Sequence, residues 1–410
     1  MTDSTEQRPS FEGLGINETF LKVLSAHKFV TPTPIQHKAI PVAIVGDDVI
    51  GIAQTGTGKT LAFGVPMLQR LHGGQAKGIG LVLLPTRELA LQVDETLQKA
   101  GGPLGLRTAV LIGGENMRRQ VMQLRKRPHV LVATPGRLLD LVEQGQVRLD
   151  KTAVLVLDEA DRMLDMGFAP QLNRIMHLLP PASERQTLLF SATMPADIVT
   201  IANTHMRTPV RVEVAPEGTA AETVEQEIYI VRKEHKVTLL AEILQQYTGS
   251  VLVFTRTKHG ASKLCKYLID MGHKAAEIHA NKSLAQRIRA LDGFKRGQYR
   301  VLVATDIAAR GIDVKGIELV VNFDLPDNSA DYVHRIGRTG RAGHAGRAIS
   351  LAMPDQRSDI RDIERIIRKP LPVSKHAQLS VELPAIPMSQ RGVMGGRRRS
   401  YPRRPRFNRR

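Results

Sequence analysis

The chain has one cysteine, no tryptophan and only 4% aromatic residues among 410. A single thiol, Cys265, excludes an internal disulfide and a zinc site built on a cysteine cluster. It lies in the apolar-patterned KLCKYLI and reads as a packing residue. The scattered Met and the 13 His show no ligand spacing and read as packing and surface. No apolar run approaches the ~20 residues that span a bilayer, and the N-terminal MTDSTEQRPS lacks the apolar core of a signal peptide. The expectation is a soluble, cytoplasmic protein with no membrane partner. Acid is scarce as well: 40 Asp and Glu against 58 Lys and Arg leave a net charge of +18. That surplus suits a polyanion, with nucleic acid ahead of a membrane surface. Half of it sits in the last twenty residues, RGVMGGRRRSYPRRPRFNRR, which hold nine Arg and no acid.

Length makes two domains the prior. Short apolar, β-rich runs recur: DVIGIA (48–53), IGLVLL (79–84), HVLVAT (129–134), AVLVLD (153–158) and TLLFSAT (187–193). Helix-patterned segments separate most of them, which indicates α/β architecture: a mostly parallel sheet with helices on both faces. The pattern restarts after VEVAPEGTAAETVEQ, so the chain divides into a first domain at 1–211, a linker at 212–226, a second domain at 227–370 and a tail at 371–410. The second half echoes the first. VLVAT occurs at 130–134 and again at 301–305, each after a strand ending in Thr-Arg; Thr86 to Thr134 is 48 residues and Thr255 to Thr305 is 50. Two sheets of related topology in tandem is the economical reading. Ligands of such sheets gather at the carboxyl ends of the strands.

One such end carries Ala53-Gln54-Thr55-Gly56-Thr57-Gly58-Lys59-Thr60. Its glycines let backbone N–H groups face phosphate oxygens, Lys59 sets a charge between the outer phosphates, and Thr60 offers its hydroxyl to Mg²⁺. Ala53 stands where the general P-loop pattern has Gly. About one hundred residues on, VLVLDEAD ends a strand in acid: Asp158 suits a water-bridged Mg²⁺, and Glu159 suits the orienting of an attacking water. Asp161 is too far along to share the ion and reads as a contact to neighbouring loops. An acidic helix N-terminus is the alternative for the acids taken alone.

With PTPIQ (32–36), PTRELA (85–90), TPGR (134–137), SAT (191–193), ARGID (309–313) and HRIGRTGR (334–341) in order, the chain resembles the DEAD-box ATP-dependent RNA helicases, from about Phe11 to about Arg368. HANKSLAQR and VFTRTK look most like the RhlE-like bacterial branch. The resemblance implies two RecA-like domains, an RNA-stimulated ATPase, and ATP with Mg²⁺ as cofactors. It implies that Phe29 and Gln36 read adenine, by ring stacking and a bidentate amide pair. Gly311 and Asp313 would contact the nucleotide, with Asp313 on the ribose. Arg338 and Arg341 would reach the γ-phosphate, and His334 would meet the first domain. Arg335, Arg338 and Arg341 surround a short turn with few acids close in sequence. Ser191 and Thr193 would couple the metal site to RNA. Arg87, Gly114, Thr134, Arg137 and Thr305 would hold one strand by phosphate and sugar, without reading bases.

Two positions depart from the family pattern: Leu284 stands for Gln three residues before Arg287, so a weakened second-domain contact is expected, and Asn281 stands for Asp. The tail has too few aliphatic residues to fold alone and reads as disordered; its Arg, Tyr401 and Phe407 suit RNA phosphates and bases. A monomer acting on single strands or short duplexes, with ribosomal or RNA-decay partner proteins, is the expectation. An ATP-gated clamp with little unwinding, and an ATPase acting on protein or DNA, are the alternatives.

Overall fold

The structure is a computed structural model that describes residues 10–54, 56–214, 224–309, 314, 316–340, 346–379 and 381. Fourteen strands form two seven-stranded sheets among these residues. The first holds β1 (Val49–Ile52), β2 (Ile79–Leu83), β3 (Thr108–Leu111), β4 (Val130–Ala133), β5 (Thr152–Asp158), β6 (Gln186–Ser191) and β7 (Val210–Glu213), in the order β3-β4-β2-β5-β6-β1-β7. The second holds β8 (Val224–Ile230), β9 (Val251–Phe254), β10 (Ala275–Ile278), β11 (Val301–Ala304), β12 (Leu319–Asn322), β13 (Gly346–Ala352) and β14 (Val373–Ser374), in the order β10-β11-β9-β12-β13-β8-β14. All pairings are parallel. Numbered from β8 the second order reproduces the first, strand for strand, so the tandem repeat read from VLVAT is a repeat of whole sheets.

The repeated letters explain their own placement. Successive side chains of a strand point to opposite faces. In β4, Val130 and Val132 join the core under one face while Leu131 and Ala133 join the other; in β11, Val301 and Val303 divide from Leu302 and Ala304 in the same way. Helices seal both faces, which is why these strands read as continuous apolar runs. Helix starts follow capping chemistry. Thr86 Oγ accepts from Leu89 N at 3.3 Å to open Arg87–Gly101, and Ser283 with Gln286 forms a capping box that opens Leu284–Lys295.

The domain limits differ from those expected. Val212 and Glu213 belong to β7 and 224–226 to β8, so the expected linker is strand at both ends; its centre, 215–223, lies outside the described residues. The second domain also continues past 370. Ile228 N donates to Pro372 O at 2.9 Å, Val381 N donates to Ile230 O at 2.8 Å, and Leu371 is buried. The open edge of β8 supplies the hydrogen bonds that hold this segment. The tail expectation for 382–410 lies outside the described residues, as do Thr55, Gly311, Asp313 and Arg341.

Candidate functional site

The loop after β1 turns on Gly56 and Gly58, both in the left-handed region at φ +86° and +88°. A Cβ on Gly58 would collide with the Gln36 amide. This is why only glycine serves there. Gln36 itself is buried: its Nε2 donates to Gly58 O at 2.9 Å and its Oε1 accepts from Thr33 N at 2.9 Å. The residue expected to read a base thus also fastens the preceding helix to the loop, leaving one N–H and one lone pair of its amide uncommitted. Thr57 Oγ donates to Gln54 O at 2.7 Å, closing the turn.

The loop delivers Lys59 to the first position of the helix Lys59–His72. Its Nζ is buried, has no hydrogen-bond partner among the described residues, and lies 3.8 Å from Asp158 Oδ1. An ammonium held dry and unbonded is costly, so the position is built for an acceptor that comes with a ligand. Burial pushes Asp158 up to about 6, against the pull of Lys59 and with a further push from Glu159. Lys59, Thr60, Asp158 and Glu159 share a cleft of about 550 Å³ with Phe29, Gln36 and the two loop glycines. The donor set fits a triphosphate with a hard cation: an unsatisfied cation for phosphate oxygen, and a buried carboxylate and a hydroxyl for the metal.

Glu159 occupies the left-handed region at φ +53°, an unfavourable conformation for a non-glycine residue. Its carboxylate is fixed by Arg162 Nη1 at 2.8 Å. Arg162 escaped the sequence reading, since nothing about an arginine after DEAD marks it as buried. It is almost wholly enclosed and its Nη2 donates to His334 Nδ1 of the second domain at 3.4 Å. Burial, then Arg162, pushes His334 down to about 3, so a neutral imidazole accepts this bond. Asp161 does bind a neighbouring loop: its Oδ2 accepts from Ala192 N, Thr193 N and Thr193 Oγ at 3.1, 2.9 and 2.9 Å, while Asp161 N donates to Ser191 Oγ at 3.2 Å.

Among the arginines of the second domain, Arg335 corrects the sequence reading that left it with few acids. Asp306, distant in sequence, takes Nε and Nη2 at 2.6 and 2.7 Å, and Asn322 Oδ1 and Asp324 O take Nη1. Arg335 is a brace within its own domain. Arg338 is buried and lines, with Arg162, His334 and Asp306, a small space apart from the walls of the Lys59 cleft.

A second surface crosses the domains. Arg87 stands at the start of its helix directly under Gly114, whose φ of +76° and missing Cβ admit the guanidinium. Arg137 Nη1 donates to Glu115 O at 3.2 Å. Thr134 and Thr305 cap equivalent strands, β4 and β11. Burial, with Arg287 near, pulls Arg87 below the usual arginine value. The second domain reaches this surface through Arg287, ion-paired with the buried Glu88. One turn earlier Leu284 is buried in the first domain's own apolar core, with Ile288 beside it. The expected weak point is therefore an apolar contact across the domains.

Residues 33–201 match the DEAD/DEAH box helicase family and residues 235–343 the helicase conserved C-terminal domain. The ATP-dependent rRNA helicase RRP3 of Debaryomyces hansenii is 42% identical over 365 residues, covering 88% of this chain and 76% of the relative. The DEAD-box ATP-dependent RNA helicase CshA of Geobacillus kaustophilus is 41% identical over 361 residues, 88% and 77% of the two chains. Saccharomyces cerevisiae Dbp5 bound to RNA and ADP BeF3 superposes with a TM-score of 0.79 at 31% identity, covering 89% of this chain and 95% of that one. A DEAD box protein from Methanococcus jannaschii, 34% identical over 89% and 99% of the two chains, reaches 0.53. Fungal and bacterial relatives match alike, and the comparisons do not single out the RhlE-like branch. On the shared cleft, the paired sheets and these matches, the chain belongs to the DEAD-box ATP-dependent RNA helicases.

Proposed function

We propose that the protein is an RNA-stimulated ATPase that closes its two domains over one RNA strand, parting short duplexes or remodelling RNA-protein complexes, and that hydrolysis resets it. The observation that carries this is the pairing of an unsatisfied Lys59 in the first domain with the Glu159-Arg162-His334 chain that reaches the second. Phosphate oxygens satisfy Lys59, and Gly56, Thr57 and Gly58 present backbone N–H groups to them; Gln54 and Thr55 share in binding the nucleotide. Phe29 and Gln36 take adenine, and Gly311 and Asp313 the ribose side. Thr60 and Asp158 would hold Mg²⁺, which when bound neutralises charge building on the phosphates.

Glu159 orients the attacking water, and Arg162, which fixes that carboxylate, also donates to His334 of the second domain and so links the water site to closure. Arg338 and Arg341 supply positive charge to the leaving phosphates when the cleft tightens. Asp161 holds Ser191 and Thr193, so a shift at the acids is felt by the loop between cleft and RNA surface. Arg87, Gly114, Thr134, Arg137 and Thr305 hold phosphate and sugar, which makes binding indifferent to sequence. Since neither domain holds all of these groups, closure and catalysis are linked.

ATP hydrolysis with and without single-stranded RNA, for the wild type and Glu159→Gln, tests the reading. Many-fold stimulation of the wild type, with ATP binding but little turnover in the variant, is expected; hydrolysis that ignores RNA contradicts it. Strand displacement on a short duplex then separates unwinding from a clamp, which shares every one of these residues.

A further inference from the structure

The helix Met117–Arg125 follows directly on the Gly114 loop. Its inner face is settled: Gln120 Nε2 donates to Ile112 O at 2.9 Å, and Met117, Val121 and Leu124 pack on the first domain's core. Its outer face is Arg118, Arg119, Met122 and Arg125, continued by Lys126 and Arg127, all exposed. No acid occurs between Glu115 and Asp140. Among the described residues none of these five cations forms an ion pair; Asp140 and Glu88 are held by Arg137 and Arg287 instead. The row therefore presents positive charge outward with no acid of its own to balance it.

The row is continuous with the strand-holding surface. Arg137 grips the carbonyl of Glu115, and Asn116 caps the helix by accepting from Arg118 N at 2.9 Å. Nine residues carry the cations ~13 Å away from Gly114. At the far end the row meets an open trough of about 630 Å³ lined by Gln98, Arg107, Thr108, Gln123 and Lys126.

We propose that this face is an outer track for the phosphates of RNA beyond the strand held between the domains, so that one flank of a longer RNA runs along the helix toward the trough. The inference rests on the RNA-binding reading above. The contacts are charge on phosphate and carry no base preference. They add affinity by engaging one molecule at two connected places, and are lost when the RNA is too short to reach.

The test uses the full chain with a non-hydrolysable ATP analogue, and the shortest RNA that saturates ATPase stimulation. That RNA is compared with forms extended by ten nucleotides at either end. The triple variant Arg118→Gln, Arg119→Gln, Arg125→Gln is expected to bind the short RNA as the wild type does and to lose the gain from one extension. Three removed charges at ~0.7 each lower the salt slope on that RNA by about 2, or roughly 20-fold less affinity lost between 50 and 200 mM salt. The corresponding Arg→Lys triple restores the gain. An unchanged extended-RNA affinity overturns the proposal, as does an equal loss on both RNAs, which would place these cations within the grip itself. A wild type whose turnover ignores the short RNA fails the functional reading first, and is told apart by that result.

Discussion

The two sheets have the same order, yet they treat the same pair of residues in opposite ways. In the first domain a lysine opens the helix after β1 and faces an aspartate at the end of β5: Lys59 and Asp158, 3.8 Å apart and not hydrogen-bonded. At the corresponding place in the second, Lys236 opens the helix after β8 and faces Asp324, just past β12. Here Nζ reaches Asp324 Oδ1 at 3.3 Å and Phe323 O at 2.7 Å. The connection before Lys59 contains Gly56 and Gly58 and curls around a space; that before Lys236 is a short Lys233–His235 turn without glycine. One lysine is bonded within its own domain, while the other has no hydrogen-bond partner among the described residues, as its proposed role toward phosphate requires. The fold alone therefore does not set the function of this position: what differs is the loop that keeps lysine and aspartate apart.

Replacing each lysine breaks the comparison most sharply. Lys59→Met is expected to lower ATP turnover by ~10²–10³, the loss typical of one charge-stabilising donor, with the melting temperature unchanged or raised. Lys236→Met is expected to destabilise the second domain by about 2 kcal/mol, below the usual cost of breaking a buried pair because Asp324 is partly exposed. Melting should fall by roughly 5 °C, with saturated turnover retained in the folded fraction. Steady-state kinetics and calorimetry on both variants decide it; a catalytic loss in Lys236→Met would contradict the division.

A smaller effect lies in pH. His334 is held near 3 between the domains and returns to about 6.5 when exposed. A depressed value means that closure releases a proton: its full strength is present above pH 6.5 and is lost progressively as pH falls from there toward 3. The RNA concentration giving half-maximal stimulation is expected to rise about tenfold from pH 7.5 to 5.5. His334→Asn should flatten that profile.

The smallest effect concerns Leu284. Leu284→Gln removes an apolar side chain from the first domain's core at the domain boundary, a cost of about 1 kcal/mol. The half-maximal RNA concentration should rise roughly fivefold. A variant that instead binds RNA more tightly would mean that Leu284 is a defect in the contact and not its substance.

What the sequence made legible follows from how local each feature is. The loop of Gly56 to Thr60, the acids at 158–161 and the strands VLVA lie within a few consecutive residues, and spacing alone places them. Strand β3 was missed because TAVL lies at the sheet edge with only alternate residues buried. Arg162 and Arg335 were missed or misread because their partners, His334 and Asp306, lie in distant segments. Leu284 was read as the loss of a hydrogen bond, since only the folded chain brings it against the other domain's core. Glu159's left-handed backbone leaves no trace in its letter.

On the proposed function, ATP and RNA favour the same closed arrangement. The most direct measurement is the affinity for one single-stranded RNA without nucleotide, with ADP, and with a non-hydrolysable ATP analogue, alongside the reciprocal affinity for the analogue with and without that RNA. The analogue is expected to tighten RNA and RNA to tighten the analogue by the same factor, at least tenfold, with ADP doing neither. RNA affinity that is equal in all three states would contradict it, and would leave two domains that bind their ligands without speaking to each other.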